Sequence, residues 1–365
     1  MSLRLTGIGT AAPDQSIPQE EAARLWASFA GVEGRRAKIA QALYRRSGVK
    51  KRHSVLLEDS GDPSRPTQTF FEPALTEGDL GPTTHARMKR FESDAPGLAQ
   101  KAAEAALTDA GLSPSEVTHL VTVSCTGFFA PGLDTTMADL LGLHPTVERT
   151  HVGFMGCHGA LNGLRVASSF AGADSNARVL VSSVELCTLH MSYAWDPDLL
   201  VANSLFGDGA AAVVGVGEGS PFPDGAWRLS ASGTCRLPDS ADAMSWRIGD
   251  HGFQMTLSTS VPDIIQTHLR GWLEDWLGGQ GLSLDQVATW AVHPGGPRIL
   301  TAVGGALGLD GDASAVSREV LSEFGNMSSA TILFILDRLR RRDAPRPCVA
   351  LAFGPGLVAE AALFL

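Results

Sequence analysis

Cys157 lies in a stretch of sequence that would make a thiol reactive. Residues 150–165 read THVGFMGCHGALNGLR: a short β-like run, a turn containing Gly153 and Gly156, and then small residues typical of a helix. The first N–H groups of a helix have no partner within it, and their positive field favours a thiolate. We therefore predict that Cys157 is a nucleophile whose pKa is lowered. The stretch also fits a buried structural cysteine, the commonest role of a free cysteine.

A histidine and an asparagine occur at spacings that match those around Cys157. Asn326 follows His293 by 33 residues, as Cys157 follows Cys125 by 32, and a further strand-like run lies 22 residues after both Cys157 and Asn326. In each case a buried strand ends at a polar residue, and a glycine-flanked turn, a helix and another strand follow. The repeat predicts two pseudo-symmetric α/β halves, with Cys157 and Asn326 on matching turns and His293 at a neighbouring strand end.

These three residue types together suit acyl chemistry. A histidine can keep a thiol ionised and act as a base or a hydrogen-bond donor. An asparagine is neutral, so it can donate to a developing oxyanion that an aspartate would repel. Gly295 and Gly296, in HPGG, favour close approach of a slender ligand to the backbone, and we predict that both bind substrate. A cysteine protease also uses these residue types, and the composition alone does not exclude one.

Length and composition narrow the possible classes of protein. The 365 residues are 44% hydrophobic and 19% charged, which suits two domains or a duplicated core. The net charge of −10 gives no general support for a nucleic-acid partner. The five cysteines form no C-x-x-C, which argues against a disulfide framework and a zinc site and favours a reducing, cytoplasmic location. We expect no signal region and no membrane span.

Several individual residues have an ordinary structural interpretation. We predict that Cys125, Cys235 and Cys348 pack in the core. His151 and His158 flank Cys157, but they would project in different directions, so we expect no metal site there. Arg45, Arg46, Lys50, Lys51 and Arg52 form a basic cluster in an acidic chain. That cluster fits either a solvated surface or an anchor for a phosphate-bearing substrate.

The periodicity and the turn residues predict the elements that would position these side chains. We predict strands over residues 3–9, 119–125, 178–185, 210–216, 227–236, 251–257, 289–293, 348–353 and 359–365. We predict helices over residues 16–29, 33–46, 84–110, 262–277, 297–309 and 327–342, and one that ends near 141. A capping box at Ser16 would start the first helix, and Asp208 is predicted to be a turn residue. Segment 217–226 is the predicted linker between halves 1–220 and 221–365.

The residues also resemble a known family. The motifs GFMGCHGALNGLR, LFGDGAAAVV, AVHPGGPRIL, EFGNMSSATILF and AFGPGLVAE, in this order, are similar to those of the type III polyketide synthases, the chalcone synthase superfamily. The resemblance covers nearly the whole chain. It implies a thiolase-like fold with layers in the order α-β-α-β-α, a homodimer, and coenzyme A thioesters as substrates with no other cofactor. The implied reaction loads an acyl starter from coenzyme A, decarboxylates malonyl-CoA, condenses the two repeatedly and cyclises the product.

The resemblance also assigns roles to residues by motif. It implies that Cys157 carries the acyl group and that His293 and Asn326 hold the malonyl thioester oxygen. Phe206 and Met255 fall on the two gate positions, and Met255 replaces a phenylalanine common in plant relatives. The implied residues of the cavity wall are Cys187, His190, Trp246 and Ser328. The implied contacts with coenzyme A are Arg45 and Arg46. Ala130 stands where a partner subunit often lends a bulky methionine.

Two alternatives and one finer prediction accompany this interpretation. A ketoacyl carrier-protein synthase that primes fatty-acid synthesis would use the same three residue types, although such enzymes usually have His-Gln-Ala-Asn in place of the HPGG sequence. A non-catalytic acyl-binding homologue is the second alternative, and the intact set of Cys, His and Asn argues against it. The flexible Met255 and the small Ala130 favour an elongated aliphatic starter, giving alkyl pyrones or resorcinols, whereas Trp246 argues the other way.

Overall fold

The computed structural model of the chain describes residues 3–62, 66–76, 78–220, 222 and 224–365. Its strands are β1 Leu3–Ala11, β2 Ser16–Pro18, β3 Lys51–His53, β4 His119–Ser124, β5 Glu148–Gly153, β6 Arg178–Leu186, β7 Asp208–Val216, β8 Trp227–Arg236, β9 Met244–Gly249, β10 Gly252–Leu257, β11 Thr289–Val292, β12 Cys348–Gly354 and β13 Val358–Phe364. Its helices are α1 Gln19–Phe29, α2 Gly34–Arg46, α3 Thr84–Ala110, α4 Leu133–Leu141, α5 Gly159–Ala173, α6 Pro197–Leu205, α7 Val261–Gly278, α8 Pro297–Leu307, α9 Ala315–Phe324 and α10 Thr331–Arg341.

Nine of these strands form one mixed sheet in the order β11-β12-β13-β8-β1-β7-β6-β4-β5. Strand β1 pairs antiparallel with both β7 and β8, and so joins the two halves of the sheet. Strand β4 runs parallel to β6, with α5 between them in the chain, and β11 runs parallel to β12, with α10 between them. The two halves therefore repeat one β-α-β arrangement, as the matching spacings predict.

Alternate residues of the central strands enter different cores. In β4, Val121 and Val123 pack in a central core with α5 and α10, whereas Leu120 packs on the other face with α3 and α4. In β12, Ala350 belongs to the central core, whereas Val349 packs with α7 and α8. The two halves of the sheet thus pack on the central helices α5 and α10 with one face and on outer helices with the other. This arrangement gives five layers, α-β-α-β-α. This arrangement is the predicted thiolase-like fold.

Several local features differ from the predictions. Ser16–Pro18 is a short strand paired with β3, so the first helix begins at Gln19 without a side-chain cap, and the capping box at Ser16 is wrong. Strand β9 was not predicted, because it pairs only with β10 in a half-exposed hairpin. Strand β3 and helices α6 and α9 were not predicted either, and α10 begins at Thr331 rather than at 327. None of the helices in the described ranges is long and apolar enough to cross a membrane.

Candidate active site

Cys157 lies on a single turn of 3-10 helix, Gly156–His158, directly before α5. Gly156 has a φ of 72°, and a Cβ added there would fall 2.3 Å from Cδ of Pro355. Only glycine fits both the left-handed backbone and the close approach to Pro355. The local sequence therefore fixes the thiol at the N-terminal end of a buried helix, where the sequence predicts it.

The environment of Cys157 does not lower its pKa, contrary to our prediction. Burial raises the pKa of this thiol to about 11, although hydrogen bonds from the side chains of Ser328 and Asn326 act in the opposite direction. The helix start therefore does not outweigh the loss of hydration around a thiolate. Reaction at Cys157 then requires a base that removes the thiol proton.

Asn326 is held by backbone pairing with the segment around Phe206. Its N–H donates to the carbonyl of Leu205 at 2.8 Å, and its carbonyl accepts from the N–H of Gly207 at 3.0 Å. The side-chain oxygen Oδ1 accepts from the N–H of Ser328 at 2.8 Å. The side chain of Asn326 also hydrogen-bonds to Cys157, so the amide nitrogen Nδ2 faces the thiol, and Asn326 is a hydrogen-bond donor to the site.

His293 directly follows β11, and its N–H continues the sheet by donating to the carbonyl of Leu351 at 2.8 Å. The imidazole is buried, and within the described residues neither ring nitrogen has a hydrogen-bond partner. Burial lowers the pKa of His293 to about 3, so the ring is neutral at pH 7. A neutral imidazole can accept the proton of Cys157 or donate from its N–H, and either nitrogen is available to a ligand.

The three residues line one cavity, which we call the catalytic cavity. Gly295, Phe206 and Met255 also line it. The sequence-predicted residues Cys157, His293 and Asn326 thus line one space, which brings a thiol, a neutral imidazole and a neutral amide together. This arrangement can form a thioester on the cysteine and stabilise negative charge on a carbonyl oxygen.

Comparison with known proteins assigns this site to a family. The model of the N-terminal domain of chalcone and stilbene synthases matches residues 2–220, and the model of their C-terminal domain matches residues 228–365. The chain belongs to this family. It is a type III polyketide synthase, and therefore an acyltransferase-type condensing enzyme. The family match favours this interpretation over the ketoacyl synthase and the non-catalytic homologue.

Individual relatives of the synthase match over nearly its whole length. A 1,3,6,8-tetrahydroxynaphthalene synthase of Streptomyces peucetius subsp. caesius is 35% identical over 98% of this chain and 91% of its own. An α-pyrone synthesis polyketide synthase-like protein of Mycobacterium tuberculosis is 31% identical over 99% of this chain and 90% of its own. The crystal structure of the polyketide synthase PKS-I of the brown alga Ectocarpus siliculosus superposes with a TM-score of 0.91 at 29% identity, covering 100% of this chain and 98% of that one.

Two further cavities of the synthase adjoin the catalytic cavity. An inner cavity shares Cys157, Phe206 and Met255 with it. A third, which we call the apolar cavity, shares Phe206 and Met255 with both, and shares Cys187 and Trp246 with the inner cavity. The predicted gate residues Phe206 and Met255 therefore stand where all three spaces meet.

The predicted wall residues differ in what they can offer a substrate. His190 lines the apolar cavity, but its Nε2 donates to the Thr126 carbonyl at 2.7 Å, and its Nδ1 accepts from the Phe253 N–H at 2.9 Å. Trp246 donates from its ring N–H to the Cys125 carbonyl at 2.7 Å. Both side chains are thus fixed by the protein, and they present ring surface rather than polar atoms.

Other predicted residues lie outside the three cavities. Arg45 and Arg46 are exposed at the end of α2 and line none of them, and Ala130 is exposed as well. Gly295 lines the catalytic cavity, whereas Gly296 precedes α8 as its N-cap. Among the described residues, no cluster of histidine, cysteine, aspartate or glutamate could hold a metal ion.

The predicted core cysteine Cys125 is instead part of the site. It lines the inner cavity, and its Sγ lies 3.1 Å from Oγ of Ser328, which also faces Cys157. The buried Glu185, which the sequence analysis missed, accepts from the N–H of Cys125 at 3.0 Å and from Oγ1 of Thr126 at 2.7 Å. A carboxylate in the otherwise uncharged and buried stretch VSSVELC was the signal that could have identified it.

Asp208, predicted to be a turn residue, instead begins β7 and is fully buried. It accepts from the N–H of Thr188 at 2.8 Å and from the N–H of Val55 at 3.0 Å. Burial raises its pKa to about 6. The buried Arg52 lies nearby and donates to the carbonyl of Phe206 at 2.9 Å. Arg52 therefore fixes the backbone of the gate residue Phe206, and Asp208 fixes Thr188 in the wall of the apolar cavity.

Proposed function

We propose that the synthase loads a long aliphatic acyl group from coenzyme A onto Cys157 and extends it with malonyl units to an alkyl pyrone or alkylresorcinol. The observation that carries the choice of starter is the apolar cavity. It extends from the gate residues Phe206 and Met255 to Trp26 and Phe29 on α1, and apolar side chains form most of its wall. Such a wall stabilises an alkyl chain by about 0.8 kcal/mol for each buried methylene.

The loading step uses Cys157 and His293. Neutral His293 accepts the thiol proton, and the thiolate attacks the thioester carbonyl of the acyl-CoA. The bond from that carbonyl carbon to the coenzyme A sulfur then breaks, and the coenzyme A thiolate leaves. Among the residues that the structure describes, the ring nitrogens of His293 have no partner, and this and their place in the cavity with Cys157 support the role.

The extension step uses His293 and Asn326. The carbon–carboxylate bond of malonyl-CoA breaks, carbon dioxide leaves, and the electron pair forms an enolate whose oxygen accepts hydrogen bonds from both residues. The enolate carbon attacks the thioester on Cys157, and the Cys157 thiolate leaves. The extended chain, now on coenzyme A, reloads on Cys157 for the next cycle. The orientation of Asn326, with Oδ1 occupied by Ser328, supports its role as a donor.

The surrounding assignments belong to the same proposal. We assign coenzyme A phosphate binding to Arg45 and Arg46, and substrate contacts to Cys187, Ser328 and Gly295. We also propose that the chain is organised in two units, residues 1–220 and 221–365. The synthase acts as a cytoplasmic homodimer that uses coenzyme A thioesters and needs no other cofactor. The exposed Phe128, near Ala130, lies beside the exposed Phe154, and these apolar rings suit a subunit interface.

The test is a comparison of hexanoyl-CoA and palmitoyl-CoA in two variants. Ala22 lines only the apolar cavity, on α1, whereas Met255 lies at the gate. In Ala22→Phe the added ring would displace the end of a long chain, so kcat/KM for palmitoyl-CoA should fall about tenfold, the value of two lost methylene contacts. The value of kcat/KM for hexanoyl-CoA should change much less. Met255→Phe narrows the gate and should likewise lower kcat/KM for palmitoyl-CoA more than kcat/KM for hexanoyl-CoA.

The control for both variants is Cys157→Ala, in which intact-protein mass spectrometry should detect no acyl adduct. Products are identified by mass spectrometry after addition of malonyl-CoA. Equal losses for both starters, or a preference of the unmodified synthase for benzoyl-CoA over palmitoyl-CoA, would contradict the long-chain proposal.

A further inference from the structure

Arg52, on β3, is a buried cation that the loading and extension steps do not use. Its guanidinium donates to the carbonyls of Asn203 and Phe206, and it donates at 2.7 Å to Oε1 of Gln19. Asn203 and Phe206 lie at the C-terminal end of α6, where the last carbonyls of a helix lack partners within it and carry a partial negative charge. The buried charge therefore rests on three oxygens that the fold presents to it, without which its burial would be costly.

The segment that Arg52 holds is also the one that pairs with Asn326. We call residues 203–207 the gate segment. Within it, the carbonyl of Leu205 accepts from the N–H of Asn326 at 2.8 Å, and the N–H of Gly207 donates to the carbonyl of Asn326 at 3.0 Å. Phe206, between these two residues, accepts from Arg52 at 2.9 Å. The position of the Asn326 backbone, and with it the direction of the side-chain amide, thus depends on a segment that Arg52 fixes.

The main chain around Arg52 packs closely against both sides of this pairing. A Cβ added at Gly207 would fall 3.3 Å from Cβ of Arg52, and one added at Gly325 would fall 3.6 Å from the same atom. Gly325 directly precedes Asn326 and has a φ of 74°, in the left-handed region. Arg52 therefore lies against the gate segment and against the turn that carries Asn326.

Gln19 connects the guanidinium to the gate segment a second time. Its Nε2 donates to the carbonyl of Ser204 at 2.7 Å and to Oγ of Ser47 at 2.8 Å, while its Oε1 accepts from Arg52. Gln19 is itself buried. The guanidinium and the carbonyls that it bonds are thus held in one buried network, in which each member orients the next.

We propose that Arg52 is a positioning residue for decarboxylation, which holds the gate segment so that the amide of Asn326 meets the developing enolate oxygen. This inference rests on the role proposed above for Asn326 in the extension step. Arg52 acts through Asn326 and not on the reacting atoms. Because a displacement of about 1 Å in a catalytic group can cost about 100-fold in rate, loss of the guanidinium should be visible in kcat.

The experiment is a double-mutant cycle on release of carbon dioxide from malonyl-CoA. Arg52→Ala should lower kcat and kcat/KM by the same factor, about 100-fold, because the lost interaction is made in the transition state. In Arg52→Ala/Asn326→Ala the rate should match that of Asn326→Ala alone, since Arg52 acts through that residue. Millimolar guanidinium chloride should restore part of the activity of Arg52→Ala, and sodium chloride at the same concentration should not.

Arg87→Ala is the matched control. Arg87 is also buried and also donates to backbone carbonyls, but these are the carbonyls of Leu189 and Met191, outside the gate segment. This variant likewise removes a buried guanidinium, so it measures the general cost of doing so. It should decarboxylate malonyl-CoA far faster than Arg52→Ala does, and guanidinium should not change its rate.

Two further measurements do not depend on the activity of Arg52→Ala. Hydrogen exchange followed by mass spectrometry should show faster exchange in peptides that contain Gly207 and Asn326 in Arg52→Ala, and unchanged exchange there in Arg87→Ala. If circular dichroism shows that Arg52→Ala does not fold, Arg52→Lys replaces it in the cycle and in the exchange experiment. Lysine keeps the charge but lacks the planar fork that bonds several oxygens at once.

Three results would overturn the inference: decarboxylation by the Arg52 variant at the unmodified rate, losses that add in the double variant, or an equal loss in Arg87→Ala. If Asn326→Ala itself decarboxylates malonyl-CoA at the unmodified rate, the proposed role of Asn326 fails instead. Hydrogen exchange then decides the positioning claim. Faster exchange around Asn326 in the Arg52 variant alone supports it, and equal exchange in the Arg52 and Arg87 variants rejects it.

Discussion

Two buried histidines of the synthase share an ionisation state but have opposite hydrogen bonding. Burial lowers the pKa of both His190 and His293 to about 3, so both are neutral at pH 7. Both nitrogens of His190 are hydrogen-bonded to the backbone, whereas those of His293 have no partner in the described residues. Buried polar groups are nearly always paired, so an unpaired ring beside Cys157 is a group kept free for a ligand. Burial and pKa are alike in the two histidines, so hydrogen bonding alone distinguishes the fixed wall residue His190 from the ring that we propose acts on substrate.

The largest expected effect separates the two histidines by activity. His293→Ala removes a donor to the enolate oxygen, and loss of one such donor typically costs about 3–4 kcal/mol in the barrier. Release of carbon dioxide from malonyl-CoA should therefore fall by a factor on the order of 100 to 1,000. His190→Ala changes only the wall and should lose far less of this activity. Decarboxylation by His293→Ala at the unmodified rate would exclude His293 from the step.

The free energy of unfolding should show the opposite order: His190→Ala should lose more stability than His293→Ala, although it loses less activity. His190→Ala leaves the N–H of Phe253 and the carbonyl of Thr126 without partners, and each unsatisfied buried group costs about 1–3 kcal/mol. The His293 ring has no hydrogen-bond partner in the described part of the chain, so His293→Ala loses only packing there. We therefore expect His190→Ala to have the lower free energy of unfolding, by roughly 2 kcal/mol, in urea titrations. Equal free energies of unfolding would show that the hydrogen bonds of His190 are not what holds the wall.

Strand ends and turns of the synthase could be predicted from the sequence because their signals are local. The glycine turns before Cys157 and Asn326 and the strand before His293 each follow from a few neighbouring residues. The repeated spacing then predicts that the matching turns meet, and the catalytic cavity contains all three side chains. Strand β9 and helices α6 and α9 escaped prediction because β9 is half exposed and the two helices are short, with 9 and 10 residues.

The environment of each side chain could not be predicted from neighbouring residues alone. Asp208 reads as a turn residue, but Thr188 and Val55, distant in the chain, surround it. Cys125 reads as core, yet it faces Ser328 from the other half. The predicted shift in the pKa of Cys157 was in the wrong direction. The effect of the helix start can be read from neighbouring residues, whereas burial is the sum of many contacts distant in the chain.

The smallest expected effect sharpens the comparison through pH. An unfolded histidine protonates near pH 6.5, but His293 stays neutral in the folded chain down to about pH 3. Below pH 6.5 the unfolded chain therefore binds the extra proton, and stability is lost as the pH falls, at about 1.4 kcal/mol per pH unit for each such histidine. His293→Gln removes this penalty without breaking a hydrogen bond. Between about pH 6 and pH 4, its free energy of unfolding should fall less steeply than that of the unmodified synthase, by roughly 1 kcal/mol per unit.

The exposed His85→Gln controls for the loss of a histidine. Parallel curves for His293→Gln and the unmodified synthase would mean that His293 is protonated in the folded chain, and the neutral-base role proposed for it would be wrong.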